Sequence, residues 1–551
     1  MPYRFEIKSV YWLLTGLFAV LLISSCTTPL EYKDQADKEV YKIIDGKWQP
    51  SFGQKANYKI GDVSPSPNDI RFDVNKPPVG ILTLARAVAI ATANSREYQA
   101  QKDSLYLSAL DLTLERHKFA RQWFATVDGA YSNNGSGVAA GESLSAGTGE
   151  SLSVGTGESG VGFSQLLADG ATISTSIAID WARFLTGDPR ETLGSVFSAS
   201  ITQPLLGAGR KIAQENLTQA ERKVLYQIRF FNRYRKTFVV SVITDYYHVL
   251  QQKDAVVNAF NSYQRKIELK ERLQMESDVG KTPRFQVDQA EQSELNAKDN
   301  YNRAQQSYEQ ALDQFKISLA LPVDAKVELD PNELKALYDI GIQQPNYTLS
   351  AAVETALLNR LDLATAFDNI DDAYRKVMVA IDSLGAGLNL TASMFASSEP
   401  PTNFDKLMFN EGNYSLGLSA DLPLDRKSER NSYRAALITL QRQQRDYDDT
   451  KSRVELDVRN SYRRLLQEAD SYITQKKSLD LAQKRVDISA LLWQTGRANT
   501  RDILESQDAL LSAQNSLTAA LVDHTIAKLT FFRDIDVLQV KPDGMWEQTK
   551  Q

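Results

Sequence analysis

Few side chains in this 551-residue chain have a type and setting suited to covalent or metal chemistry. The only thiol is Cys26, so no disulfide can form within one chain. Its setting is specific: Arg4 and Lys8 precede an almost wholly apolar stretch from Val10 to Ile23, which ends at Ile23-Ser24-Ser25-Cys26. A charged start, a short apolar core and a small-residue junction describe a secretory signal, and a thiol at the junction is a nucleophile available for acylation. The three imidazoles, His117, His248 and His524, lie far apart on separate predicted helices with no second ligand at i+4. That is the pattern of packing or surface residues, not of a metal site. No nucleophile motif, pair of active-site acids or Gly-x-x-x-x-Gly-Lys-Ser/Thr phosphate loop is found, so neither enzymatic activity nor a cofactor is expected.

With cysteine at its junction the first segment resembles a bacterial lipoprotein signal. Cleavage would leave Cys26 as the first residue, carrying a diacylglycerol, and Thr27 in place of aspartate points, by resemblance to Gram-negative sorting, to the outer membrane. The alternative is an ordinary secretory signal with an incidental cysteine. Basic residues (63) and acidic residues (69) are interspersed and leave a net charge of only −6, which describes solvated helix faces and excludes a nucleic-acid binder. After residue 30 no run approaches the roughly 18 apolar residues of a membrane-spanning helix. If the chain crosses a bilayer, it does so with strands.

The elements that must position any site are long helices. Apolar residues recur every seventh position at Val458, Leu465, Tyr472, Leu479, Val486 and Trp493, a coiled-coil seam, and the run from Gln494 to Thr500 breaks it with a turn. On the return, Ile503, Leu510 and Leu517 form one line, and Ser506, Ala513, Ala520 and Ala527 form a line of small residues that lets a neighbour approach closely. The same object occurs 216 residues earlier: Val242 to Gln251 lies over Val458 to Gln467, Gly280 over Gly496, and the small line recurs at Ala290, Ala297, Ala304 and Ala311. An internal duplication accounts for all of these. Each copy opens with a helix, N-capped by Thr83 in the first and started in the same way by Thr348 in the second; here the offset is 265, so the first copy carries an insertion of about 49 residues.

That insertion falls among strands. Leu388, Leu390, Ala392 and Met394, then Tyr414, Leu416, Leu418, Ala420 and Leu422, alternate with polar or small residues in the second copy. Ala125, Val127 and Tyr131, and Phe197, Ala199 and Ile201, do so in the first. An extra pair is expected at about 161–167 and 171–183, where Ile173, Ile177, Ile179 and Trp181 alternate. Such alternation suits a barrel strand between lipid and water, and equally a soluble half-buried hairpin. An eight-residue Gly-Glu-Ser period begins at Gly141 and marks a surface loop over 132–160. Pro204 and Pro423 are expected at strand-to-helix turns, where a missing N–H is tolerated.

Two repeats of helix, strand pair, Pro-Leu turn, long helix, glycine-bearing tip and alanine-lined return helix resemble the TolC-like outer-membrane efflux and secretion channels over about residues 81–540. The most specific pieces are Gln203-Pro204-Leu205-Leu206 with Gly207 and Arg210, and Trp493-Gln494-Thr495-Gly496 running into Arg501-Asp502-Ile503-Leu504. The resemblance implies a mainly α fold with membrane β: three chains forming an α-helical barrel continued by a twelve-strand transmembrane β-barrel. Asp502 and Glu505 match positions that present acidic rings at a periplasmic constriction, and three residues apart they face the same way on a helix. The alternative for this pair is two solvated helix acids. Trp493 matches an aromatic gate position, and Gln286 one often filled by aspartate in gate-locking ion pairs. Ala498 replaces an arginine of that lock, so the same lock is not expected here. Gly280, Gly496 and Arg497 would meet a periplasmic adaptor at the hairpin tips.

The expected organisation is a signal at 1–25, a lipid-anchored extended segment at 26–80, repeat 1 at 81–330, a linker at 331–347, repeat 2 at 348–540 and a tail at 541–551. The expected role is a passive, homotrimeric, lipid-anchored exit duct for small toxic compounds in the outer membrane, reaching into the periplasm and supplied by an adaptor and an inner-membrane pump. The alternatives are the exit duct of a type I protein secretion system and a periplasmic coiled-coil scaffold or adaptor without a pore. Adaptors carry one hairpin, whereas this chain has two. Neither cargo nor pump class is legible.

Overall fold

The computed structural model describes residues 28–52, 55, 57–60, 81–126, 128–132, 141–145, 157–184, 191–206, 209–342, 347–398, 406–422, 424–541 and 546–548. Cys26 and Pro423 lie outside these. The helices are α1 (Pro29–Lys47), α2 (Leu84–Asn94), α3 (Arg96–His117), α4 (Gly209–Asp278), α5 (Arg284–Ser318), α6 (Asn332–Ile340), α7 (Leu349–Asn359), α8 (Leu361–Ser383), α9 (Lys427–Gln494) and α10 (Thr500–Asp534). The principal strands are β1 (Gln122–Thr126), β2 (Asp128–Ser132), β3 (Gly141–Ser145), β4 (Gly157–Leu166), β5 (Thr172–Phe184), β6 (Glu191–Leu206), β7 (Gly387–Ser397) and β8 (Asn413–Asp421). The duplication is literal in the return helices: α5 and α10 are both 35 residues long. The opening helices α2 and α7 are both 11 residues long, and the Thr83 and Thr348 hydroxyls accept the Arg86 and Ala351 amides as N-caps.

The chain forms two compact units, each drawing on both repeats. One comprises residues through Lys47, Tyr106–Tyr226 and Asp368–Arg445. Its centre is one antiparallel sheet in the order β1-β4-β5-β6-β7-β8. β3 pairs with β5 from Gly141↔Phe184 to Leu144↔Trp181, where β4 takes over at Gly157↔Trp181, so β3 and β4 share one lane, and β2 lies beside β3. The expected surface loop at 132–160 is therefore partly strand. Ladder bonds use backbone groups, which glycine and serine supply as well as any residue once a neighbouring edge is present.

The register separates two faces, because directly opposed residues point the same way. One face carries Ser164, Ser174, Ser200, Ser393 and Ser415 in a single row, with Thr172, Thr202, Thr391 and Gly417 in the next but one. The other carries Val161, Ile177, Phe197 and Ala396, and then Ile173, Ile201, Ala392 and Leu416. The apolar face is open: Val161 is 59% exposed, Leu418 66% and Leu416 76%. Pro204 does not sit at a strand-to-helix turn as expected. It lies inside β6, beside a register shift against β7 between Pro204 and Leu206, the bulge position at which a strand tolerates a missing donor.

The N-terminal segment also differs from expectation. Residues 29–47 are a helix, not extended chain, with Val40, Ile43 and Ile44 buried. The Thr28 hydroxyl accepts the Glu31 amide and the Glu31 carboxylate accepts the Thr28 amide, a capping box with Pro29 as the first helical residue. Asp37 then accepts the Tyr106 hydroxyl at 2.8 Å. In the same unit, the buried Asp372 carboxylate of α8 accepts from Tyr226 (2.7 Å), Gln219 (3.2 Å), Arg375 (2.6 Å) and Arg222, all but Arg375 on α4.

The second unit comprises Trp48–Leu105, Gln227–Phe367 and Asp446–Gln551. Its core follows the seven-residue lines: Val458, Leu465, Tyr472, Ser506, Leu510, Ala513, Leu517, Ala520 and Ala527 are all buried. The expected linker at 331–347 contains α6, whose Leu337 and Tyr338 pack with Tyr472, Leu517, Ala520 and Leu521, and whose Tyr338 hydroxyl meets that of Thr518 at 2.7 Å. His524 is buried with its Nε2 unpartnered, and burial, reinforced by the Lys528 cation, pushes its pKa down. The unfolded chain takes up this proton near pH 6.5 and the folded chain resists it, so stability falls as pH drops below about 6.5. Guanidinium denaturation at pH 5.5 should show a loss of up to about 1.4 kcal/mol relative to pH 7.5 that His524→Gln removes.

All four long helices end alike. Gly280 (φ 75°) and Gly496 (φ 70°) are left-handed, and Lys281 N–H bonds Glu276 C=O while Arg497 N–H bonds Leu492 C=O, which closes a Schellman cap on α4 and on α9. On α5 and α10 the same cap places non-glycine residues in the left-handed position: Ala320 (φ 54°) and Asp536 (φ 63°). Asp536 is held there by Lys236 at 2.6 Å. For Ala320, a left-handed penalty of roughly 1–2 kcal/mol exceeds the roughly 0.5–1 kcal/mol entropy cost of glycine. Ala320→Gly should therefore stabilise by about 0.5–1 kcal/mol, read as a raised denaturation midpoint.

Candidate functional site at the hairpin tips

The tips of the two long hairpins meet within the second unit. Leu269 and Leu273 of α4, Val287 and Ala290 of α5, and Ile503 and Leu504 of α10 form one buried cluster, with half-buried Trp493 of α9 packed against it. The Arg272 guanidinium lies 4.5 Å from the centroid of the Trp493 ring, an attraction to the π face that holds both side chains. The buried Thr500 hydroxyl donates to Gln286 Oε1 at 2.8 Å, tying the start of α10 to the start of α5. Nearby, Lys266 of α4 is paired with Asp508 of α10. Four of the residues singled out from sequence, Trp493, Gln286, Asp502 and Glu505, thus lie on these packed helix ends.

Asp502 and Glu505 are exposed and face the same way on the first turns of α10. Each has a partner within the chain. The Asp502 carboxylate accepts the Asn499 amide at 2.9 Å, where an anion also meets the positive end of the helix dipole. Glu505 pairs with Arg485 at 2.7 Å, with the two side chains 59% and 51% exposed, a pair contributing at most about 1 kcal/mol. Gln286 stands at the position of α5 equivalent to Asp502 in α10, yet turns to Thr500 instead of capping its own helix. Gly280, Gly496 and Arg497 form the exposed turns themselves, and an added Cβ at either glycine meets nothing within 4 Å. Glycine is needed there for its φ and not for space. The Arg272–Trp493 and Gln286–Thr500 contacts were not legible in the sequence. His117 and His248 are exposed, and among the described residues no group of three His, Cys, Asp or Glu could hold a metal.

Residues 352–531, which include α9 and most of α10, match the family described as outer membrane efflux protein. The match lies within the second repeat and spans about a third of the chain. Solved outer-membrane channels share the fold of this chain. VceC from Vibrio cholerae is 12% identical, with 82% of this chain and 95% of that chain covered at a TM-score of 0.59. CmeC from Campylobacter jejuni is 14% identical, with 90% and 94% covered at 0.57. The open state of MtrE from Neisseria gonorrhoeae is 14% identical, with 82% and 88% covered at 0.56. No curated protein matches the sequence. Outer-membrane efflux family members are channels, and they typically form trimers.

Proposed function

We propose that three copies of this chain form a passive exit duct for small toxic compounds, reaching through the periplasm and the outer membrane. Cys26 carries its lipid anchor, and a periplasmic adaptor and an inner-membrane pump engage the tips around Gly280, Gly496 and Arg497. The observation that carries this reading is the two-faced sheet: an exposed apolar face for lipid and a hydroxyl face for water, which a soluble hairpin would not leave open. A second apolar line on α9, with Leu466, Ile473, Leu481 and Ile488 all 40% or more exposed in the single chain, supports contact with another copy. In this reading Asp502 and Glu505, repeated by threefold symmetry, make the periplasmic mouth acidic and attract cations. Purified protein added to planar bilayers should give stepwise, cation-preferring conductance. If no step is seen even after the Asp502→Asn/Glu505→Gln exchange, the duct is refuted and a scaffold role is favoured.

A further inference from the structure

Resting on the trimeric reading above, we propose that each chain supplies six barrel lanes instead of four. Three copies then close an eighteen-stranded barrel, β8 of one against β1 of the next, around a lumen crossed by rows of serine and threonine. The inserted strands do not hang from the sheet's margin. β4 and β5 sit between β1 and β6, in continuous ladder from Leu166↔Thr172 to Gly157↔Trp181 on one side and from Thr172↔Thr202 to Arg183↔Glu191 on the other. With 10 and 13 residues they are long enough to cross a bilayer at a tilt.

Their two faces continue those of their neighbours. Ser174 and Ser176 stand in line with Ser200 and Ser198, the latter pair joined at 2.6 Å between hydroxyls, while Ile173 and Ile177 stand in line with Ile201 and Phe197. A hairpin projecting away from the barrel would have no cause to keep both faces in register. β1 is locked to β4 as well. Trp123 and Phe163 rings lie 5.3 Å apart, and the Phe124 ring covers Gly162 so closely that an added Cβ would meet it at 2.6 Å.

The connections agree. β4 and β5 are joined by a tight turn closed by Leu167 N–H on Ala171 C=O at 2.7 Å, with Gly170 left-handed, whereas β7 and β8 are separated by residues 398–412 at the opposite end. Short turns at one end and longer loops at the other are the habit of outer-membrane barrels. Six alternating lanes also leave β1 and β8 antiparallel, so the two edges can pair, and edges left open in lipid are not tolerated. All nine residues of β8 are exposed in the single chain, ready for that partner. Diameter grows about linearly with strand number, so the lumen is roughly 1.5 times as wide as that of twelve strands.

The test is thiol labelling in proteoliposomes with a water-soluble maleimide, using Ser174→Cys and Ile177→Cys on β5 and Ser200→Cys and Ile201→Cys on β6, with the unsubstituted protein as blank. Six lanes require Ser174→Cys to label as fast as Ser200→Cys, and Ile177→Cys at least tenfold more slowly, like Ile201→Cys. If Ile177→Cys labels as fast as Ser174→Cys while the β6 pair keeps its contrast, β5 lies outside the barrel and the strand count is overturned with the duct intact. If the β6 pair shows no contrast either, or the protein is monomeric, the duct itself falls. Should Ile177→Cys not assemble, Ser176→Cys/Ser198→Cys decides: near-complete disulfide formation in the intact trimer supports six lanes, and free thiols overturn them.

Discussion

Exchanging Asp502 and Glu505 together for asparagine and glutamine will lower the channel's cation-to-anion permeability ratio by roughly tenfold, the scale on which a charged, low-dielectric mouth concentrates counter-ions. The amides suit this test because they keep the local bonds. After Asp502→Asn the side chain would still offer an oxygen to the Asn499 backbone N–H, and after Glu505→Gln it would still offer one to Arg485. The helix start and the α9–α10 contact therefore survive while both carboxylates leave every chain of the trimer. Arg485→Ala should act the other way, because it frees the Glu505 carboxylate from its cationic partner in the chain at little cost in stability. Reversal potentials in a salt gradient measure both. An unchanged ratio in the double amide would place the pair away from the conduction path.

The second large effect is structural. Asp372→Ala should destabilise the protein by about 3–5 kcal/mol, the range for breaking a buried ion pair from one side. The carboxylate is 5% exposed and receives two guanidiniums, a phenol and an amide. Its removal takes one carboxylate from each of Arg222 and Arg375, leaving Arg375 with Glu215 at 2.9 Å and Arg222 with the Asp368 carboxylate at 3.3 Å and carbonyl at 2.9 Å. The Tyr226 hydroxyl, whose pKa burial and this same carboxylate push upward, would lose its acceptor. Thermal dissociation and urea unfolding should both move, and Asp372→Asn, which keeps an acceptor, should cost less. A shift under about 1 kcal/mol for Asp372→Ala would show that the network relaxes around the gap.

What the sequence discloses follows physical range. Helix lines, tip glycines and strand alternation are local periodicities, and burial at Val458, Leu465 and Ala513 and the apolar face at Ile173 and Ile177 follow from them. α1 was equally local: Thr28-Pro29-Leu30-Glu31 is a capping box with proline at the first helical position, a signal outweighed by the prolines further along the segment. β3 was hidden because glycine and serine carry no strand preference, and its pairing depends on an edge of β5 some forty residues away. The displacement of Pro204 into β6 comes from the register of β7, and Gln286–Thr500 joins residues 214 apart. Contacts of that reach leave no periodic trace.

The rows of serine and threonine across β4 to β8 have a consequence for how cargo is sorted. Hydroxyls bond equally well to donors and acceptors, so these rows discriminate weakly, while Asp421, in line with Ser419 and Ser415, adds negative charge at one end of the same face. In the proposed duct, engineering a different spectrum of compounds should therefore begin at Trp493, Asp502 and Glu505 instead of at the serine and threonine rows.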